Sequence, residues 1–163
     1  MGFKSLLIII FAGLLFAQVN ASSKKLPKPP KPDLSMARDT IRIAGVDLVL
    51  ETYLWRDFMP VSPKEGKPLR AVVNLIPVNQ PNLPQDVVMD KIWIVNDQET
   101  WSDSLSYVGQ KMPTANLPKL EMMAQGGPKW EPGTLVKVIV RVKDQQGKIY
   151  LLQAEGQEIH RTV

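Results

Sequence analysis

Alternation of apolar and polar side chains dominates the chain beyond residue 40, and recurrence at about 3.6 residues is scarce. Val46, Leu48, Leu50, Thr52 and Leu54 alternate with Asp47, Val49, Glu51 and Tyr53, which predicts a strand with one largely apolar face. A second strand is expected over Leu69–Ile76. A third is expected over Val87–Val95, with Val88, Ile92 and Ile94 sharing a face broken by Asp90. Leu135–Val142 is the most regular: Val136, Val138, Val140 and Val142 point one way, Lys137 and Arg141 the other. Asp144-Gln145-Gln146-Gly147 supplies a turn, and Ile149–Ala154 returns as a fifth strand. Thr40–Ile43 and Glu158–Val163 are shorter additions. The stretch from Pro113 to Gly133 is broken by prolines and glycines and reads as a long loop, with room for one helical turn at Leu120–Ala124. Strands separated by turn signals, without intervening helices, predict an all-β antiparallel sandwich, with an up-and-down barrel as the alternative.

The N-terminus follows different rules. Lys4 precedes an uncharged apolar run, Leu6–Phe16, and Val19-Asn20-Ala21 places modest side chains before Ser22. This is the pattern of a secretory signal over residues 1–21, cleaved after Ala21. The apolar run is about half the ~20 residues a spanning helix needs, so an uncleaved anchor is the second reading. Periplasmic or secreted localisation follows. Residues 22–33, SSKKLPKPPKPD, carry four prolines and four lysines and are expected to form an extended polyproline-type linker. Residues 34–163 then form a single domain.

The formal charge of +4 belongs to the leader and linker. Lys4, Lys24, Lys25, Lys28, Lys31 and Asp33 account for the whole excess, and bases equal acids in Leu34–Val163. A neutral domain lacks the basic footprint of a nucleic-acid binder. Membrane contact is confined to residues 22–33 or to an uncleaved leader.

Candidate chemistry is sparse. There are no cysteines and one histidine, so disulfides, thiolate sites and multi-histidine metal sites are excluded. His160 is the only base for a triad and falls on the solvent side of its alternation. No nucleophile motif accompanies it, so no enzyme and no cofactor is predicted. Asn96, Asp97, Glu99 and Asp103 are the only local oxygen cluster and read as a solvated loop. Met112, Met122 and Met123 in the long loop offer thioethers that suit Cu(I), the basis of an alternative reading as a periplasmic carrier of metal or a small ligand through residues 112–130. The aromatics carry the main reading. Trp93 or Trp55 is expected to fill the core, and Arg56 to pair with Asp57. Trp55, Arg56, Phe58, Trp101 and Trp130 are the candidate contacts for an envelope or extracellular protein or glycan.

Trp130-Glu131-Pro132-Gly133-Thr134, followed by alternating valines and then Asp144 and Gly147, resembles the later strands of fibronectin type III and other immunoglobulin-like domains. The resemblance covers Trp130–Ala154. It departs from the family at Val136, where a tyrosine usually stands, and in having no cysteine pair. It implies an immunoglobulin-like β-sandwich and no particular activity.

Overall fold

The strand pattern resolves, in a computed structural model described for residues 32–97, 99–109 and 116–163, into nine β-strands. They are β1 (Ile41–Ile43), β2 (Val46–Asp57), β3 (Leu69–Pro77), β4 (Val88–Val95), β5 (Thr100–Ser104), β6 (Ser106–Tyr107), β7 (Leu120–Gly127), β8 (Leu135–Lys143) and β9 (Ile149–Thr162). A short 3-10 turn, Leu34–Met36, precedes them. The leader over residues 1–21, and the linker as far as residue 31, lie outside the described residues. Among those described, no helix is long and apolar enough to cross a bilayer.

Hydrogen bonding runs in one path, β5-β4-β8-β9-β2-β3-β7-β6, with β1 paired to β2 beside it. Among the nine strands all pairings are antiparallel except β2 with β9, which run parallel through Leu54↔Ile159 to Asp57↔Thr162. β9 is the corner of the structure. Its first half pairs β8 and, on the other edge, a single bridge from Arg38 to Leu152, and the β8 ladder then skips Glu155 and Gly156, the latter at φ +63°. Its second half also joins β2. A bulge with a left-handed glycine bends a strand at little steric cost, which lets one strand serve both halves of the sheet. At the far end of the path β5 approaches β7, where Trp101 lies against Gly127 and the sheet nearly closes into a barrel.

The interior is filled by the inward positions of each strand: Leu48, Leu50 and Leu54 of β2, Ala71, Val73 and Leu75 of β3, Val138, Val140 and Val142 of β8, and Leu152 and Ile159 of β9. Removing each valine, leucine or isoleucine of this set from water stabilises the fold by ~1.5–3 kcal/mol before entropy is counted. The alternation read in β2 and β8 matches this pattern.

Three expectations need correction. Leu120–Ala124 is no helical turn; it opens β7, whose Leu120, Met122 and Ala124 alternate inward. In β4 the ladder skips Asp90, so parity reverses there: Met89, Ile92 and Ile94 face the core, while Val88 is exposed. Trp93 consequently points outward. It is buried, but against Ala37, Ile139 and Leu34 on the outer face of the β4–β8–β9 half, apart from the main core. The backbone of residue 38 fixes that cover, donating to Leu151 O (3.0 Å) and accepting from Gln153 N (2.8 Å).

Candidate aromatic face and the buried arginine

At the end of the structure where β2, β7 and β9 finish, the chain brings together four of the five residues proposed from sequence as contacts, and gives them structural work. Arg56 is an inward position of β2 and is only 1% exposed. Its guanidinium donates to the carbonyl oxygens of Lys67 (3.0 Å), Lys129 (3.0 Å), Trp130 (3.1 Å) and Glu65. A rigid fork of five N–H donors suits such a cradle, and a flexible ammonium does not. Arg56 therefore has no surface to offer a partner; it ties the β2–β3 loop to the β7–β8 connection. Asp57 pairs with Lys67 Nζ at 2.9 Å and leaves Arg56 alone, because successive strand positions face opposite sides. Phe58 is half-buried, its ring 4.9 Å from the Arg56 guanidinium and 4.0 Å from that of Arg161. Trp101 and Trp130 are half-buried against the core, and the Trp130 indole donates to Glu99 (2.9 Å).

Trp55 is different. It lies half-buried on the outer face of β2, beside Tyr53, which is 47% exposed. Tyr53 stacks on Trp55 with centroids 5.4 Å apart and on His160 at 5.1 Å, the latter pair within 15° of parallel. The parallel β2–β9 junction makes this stack, because it sets Trp55 level with His160. The antiparallel registers extend it across the sheet. Tyr53 is opposite Val72, and Val72 is opposite Met123; Trp55 is opposite Arg70, and Arg70 is opposite Gln125. One step along the strands on the same face, Glu51, Asn74 and Glu121 form a polar row. Sequence reasoning missed Tyr53, His160, Val72 and Met123 as a group. Alternation had already put Tyr53 on the non-core side of β2, but nothing local places His160 beside it.

The methionine site does not assemble. Met122 is buried in the core and Met123 points to the opposite face of β7, so the two thioethers diverge. Met112 lies outside the described residues. Among the described residues no group of three or more His, Asp or Glu side chains converges on a metal position.

The strongest charged cluster sits on the other outer face. Arg141 donates twice to Asp90 (2.7 and 2.8 Å), and Lys143 also donates to it. Burial alone raises the Asp90 carboxyl. The hydrogen bonds from Arg141 and Lys143, helped by their charges, more than offset it and hold the group below its usual value. Asp90 is the bulged residue of β4, so this arrangement holds the kink in place. No protein-family model, curated protein or solved structure matches the chain.

Proposed function

We propose that the chain is an exported, non-enzymatic β-sandwich module of immunoglobulin-like topology that binds another protein through the outer face of β9, β2, β3 and β7. The observation carrying the binding reading is the outward row Tyr53–Val72–Met123, in which Tyr53 is 47% exposed and Val72 and Met123 are half-buried, with Trp55 and His160 beside it. An apolar row across adjacent strands on a solvent-facing surface marks an interaction site more than scattered exposed residues do. A protein partner fits better than a glycan. Sugar rings stack on open aromatic faces, and Tyr53 has Trp55 and His160 against its own.

The strand order supports the topology. Taken in chain order as A, B, C, C′, D, E, F and G, strands β2 to β9 give C′-C-F-G on one side and A-B-E-D on the other, the immunoglobulin arrangement. Pro132-Gly133-Thr134, which carries the resemblance, directly precedes β8. On this reading Arg56, which fastens the β7–β8 connection through the carbonyls of Lys129 and Trp130, stands in for the tyrosine absent at Val136. Export rests on the leader pattern of residues 1–21.

The test is affinity capture from detergent-solubilised envelope with the tagged wild-type chain, a Tyr53→Lys, Met123→Lys variant, and a Gln146→Lys control at the β8–β9 turn. The reading expects one captured protein to fall about tenfold with the face variant and to persist with the control. Equal recovery by all three chains, each with an unchanged thermal melt, removes it.

A further inference from the structure

The two outer faces of the domain are treated differently. On the β4–β8–β9 half, the apolar patch of Trp93 and Ile139 is covered by Leu34 and Ala37 of the same chain. On the β2–β3–β7 half, the outward row Tyr53–Val72–Met123 stays partly open, with Tyr53 47% exposed and Val72 and Met123 half-buried, and it is rimmed by Glu51, Glu121 and, level with Tyr53 on β9, Glu158. Of these three, only Glu121 makes an ion pair among the described residues, to Lys119 at 3.1 Å. That pair is exposed and exchanges readily with another cation.

Just ahead of the domain, the sequence carries a segment of complementary chemistry. A polyproline helix has three residues per turn. In that conformation, expected here from the proline spacing, Lys25, Lys28 and Lys31 would share one ridge and Leu26, Pro29 and Pro32 the next. Lysines on that ridge recur every ~9.3 Å. Glu51 and Glu121 flank Asn74 across one intervening strand, which puts them ~9.6 Å apart at the usual strand spacing. The apolar row runs parallel to the Glu51–Asn74–Glu121 row, two residues further along the strands, or ~6.8 Å. A polyproline segment crossing the strands thus sets lysines on Glu51 and Glu121 and lays its leucine–proline ridge on Tyr53, Val72 and Met123.

We infer that this face binds the lysine- and proline-rich segment of residues 22–32 from a second copy of the chain. A second copy is chosen as the occupant because of where the described chain begins. Leu34 packs on Trp93 and Ile139, so the chain enters the domain over the opposite outer face. The inference rests on the docking-face reading above and names its occupant. Such an exchange is head-to-tail, and it builds rings or open chains of copies.

The experiment is photo-crosslinking in the expressing cells, using the full chain with benzoylphenylalanine at position 53. The expected product is a chain–chain adduct whose crosslinked peptide maps to residues 22–32. Lys25→Glu, Lys28→Glu and Lys31→Glu together should cut it about tenfold, and adding Glu51→Lys and Glu121→Lys should restore it. An adduct that survives the lysine changes overturns the pairing, and a link to residues 22–32 of the same chain overturns the second copy. An adduct only to a different protein overturns this occupant and leaves the docking face standing. No adduct at all overturns both.

Discussion

Replacing Arg56 isolates the most concentrated interaction in the domain. The side chain is 1% exposed, and its charge is met by four carbonyl oxygens from two separate loops. Lysine keeps the charge but presents three donors at one point, so at best it serves about half of the cradle. Two charge-assisted bonds are then lost at ~1.5–3 kcal/mol each, partly recovered because carbonyls in surface loops relax towards water, which leaves a loss of about 3 kcal/mol. Methionine removes every donor and should cost ~3–5 kcal/mol. For a domain of this size 1 kcal/mol moves Tm by roughly 3–5 °C, so Arg56→Lys should melt about 10 °C below wild type and Arg56→Met lower still. The assay is thermal melting by circular dichroism, with urea midpoints as a second measure at unchanged m-value. Raising salt from roughly 50 to 500 mM should leave the deficit intact, because a buried charge is screened little. If Arg56→Lys melts within about 2 °C of wild type, the four-carbonyl cradle is not holding the two loops and the reasoning is wrong.

Gly66 and Gly126 form a matched pair, at φ +73° and +88°. Alanine at either carries the left-handed cost of ~1–2 kcal/mol, but at Gly66 its Cβ would also meet the Phe58 ring at 2.6–2.9 Å, whereas at Gly126 it meets nothing within 4 Å. Gly66→Ala should therefore lose a further ~1–3 kcal/mol in urea unfolding, and equal losses would mean that Phe58 swings aside freely. Asp90 supplies a pH test. Its carboxyl is held below the ordinary value of 3.8, so its stabilisation is present above about pH 4 and is lost as pH falls through the native value. Asp90→Asn should cost ~1–2 kcal/mol at neutral pH, and its Tm gap from wild type should narrow below about pH 4; a gap independent of pH would show that the ion cluster contributes nothing.

How much was legible in the sequence depended on how local the determining contact is. β2 and β8 could be read because their cores demand every second residue, and each bears enough aliphatic side chains to show the period. β4 misled because one bulged residue, Asp90, reverses every side chain beyond it, and a bulge leaves no local mark when an aspartate also suits a solvent face. β7 was hidden by its flanking prolines and glycines, although Leu120, Met122 and Ala124 do alternate. Arg56 shares parity with Leu54, so its inward direction was visible in principle. Its burial was not, because the carbonyls that satisfy it come from as far away as Trp130. The aromatic face divides the same way: Tyr53 follows from alternation within β2, and His160 only from a parallel pairing between segments remote in sequence.

That parallel pairing also governs the order of assembly. Thr52 bonds Gln157 across 105 residues of chain, and β9 is the strand through which both halves of the sheet are hydrogen-bonded together. During synthesis β2 and β3 emerge, and can form their hairpin, long before their neighbour on the other side exists. Until β9 arrives, the far edge of β2 from Leu54 to Asp57 stands open to any passing strand. Closure of such distant segments is slow compared with local hairpin formation. The core therefore stays incomplete until β9 docks, and native packing is gained only in that long-range step.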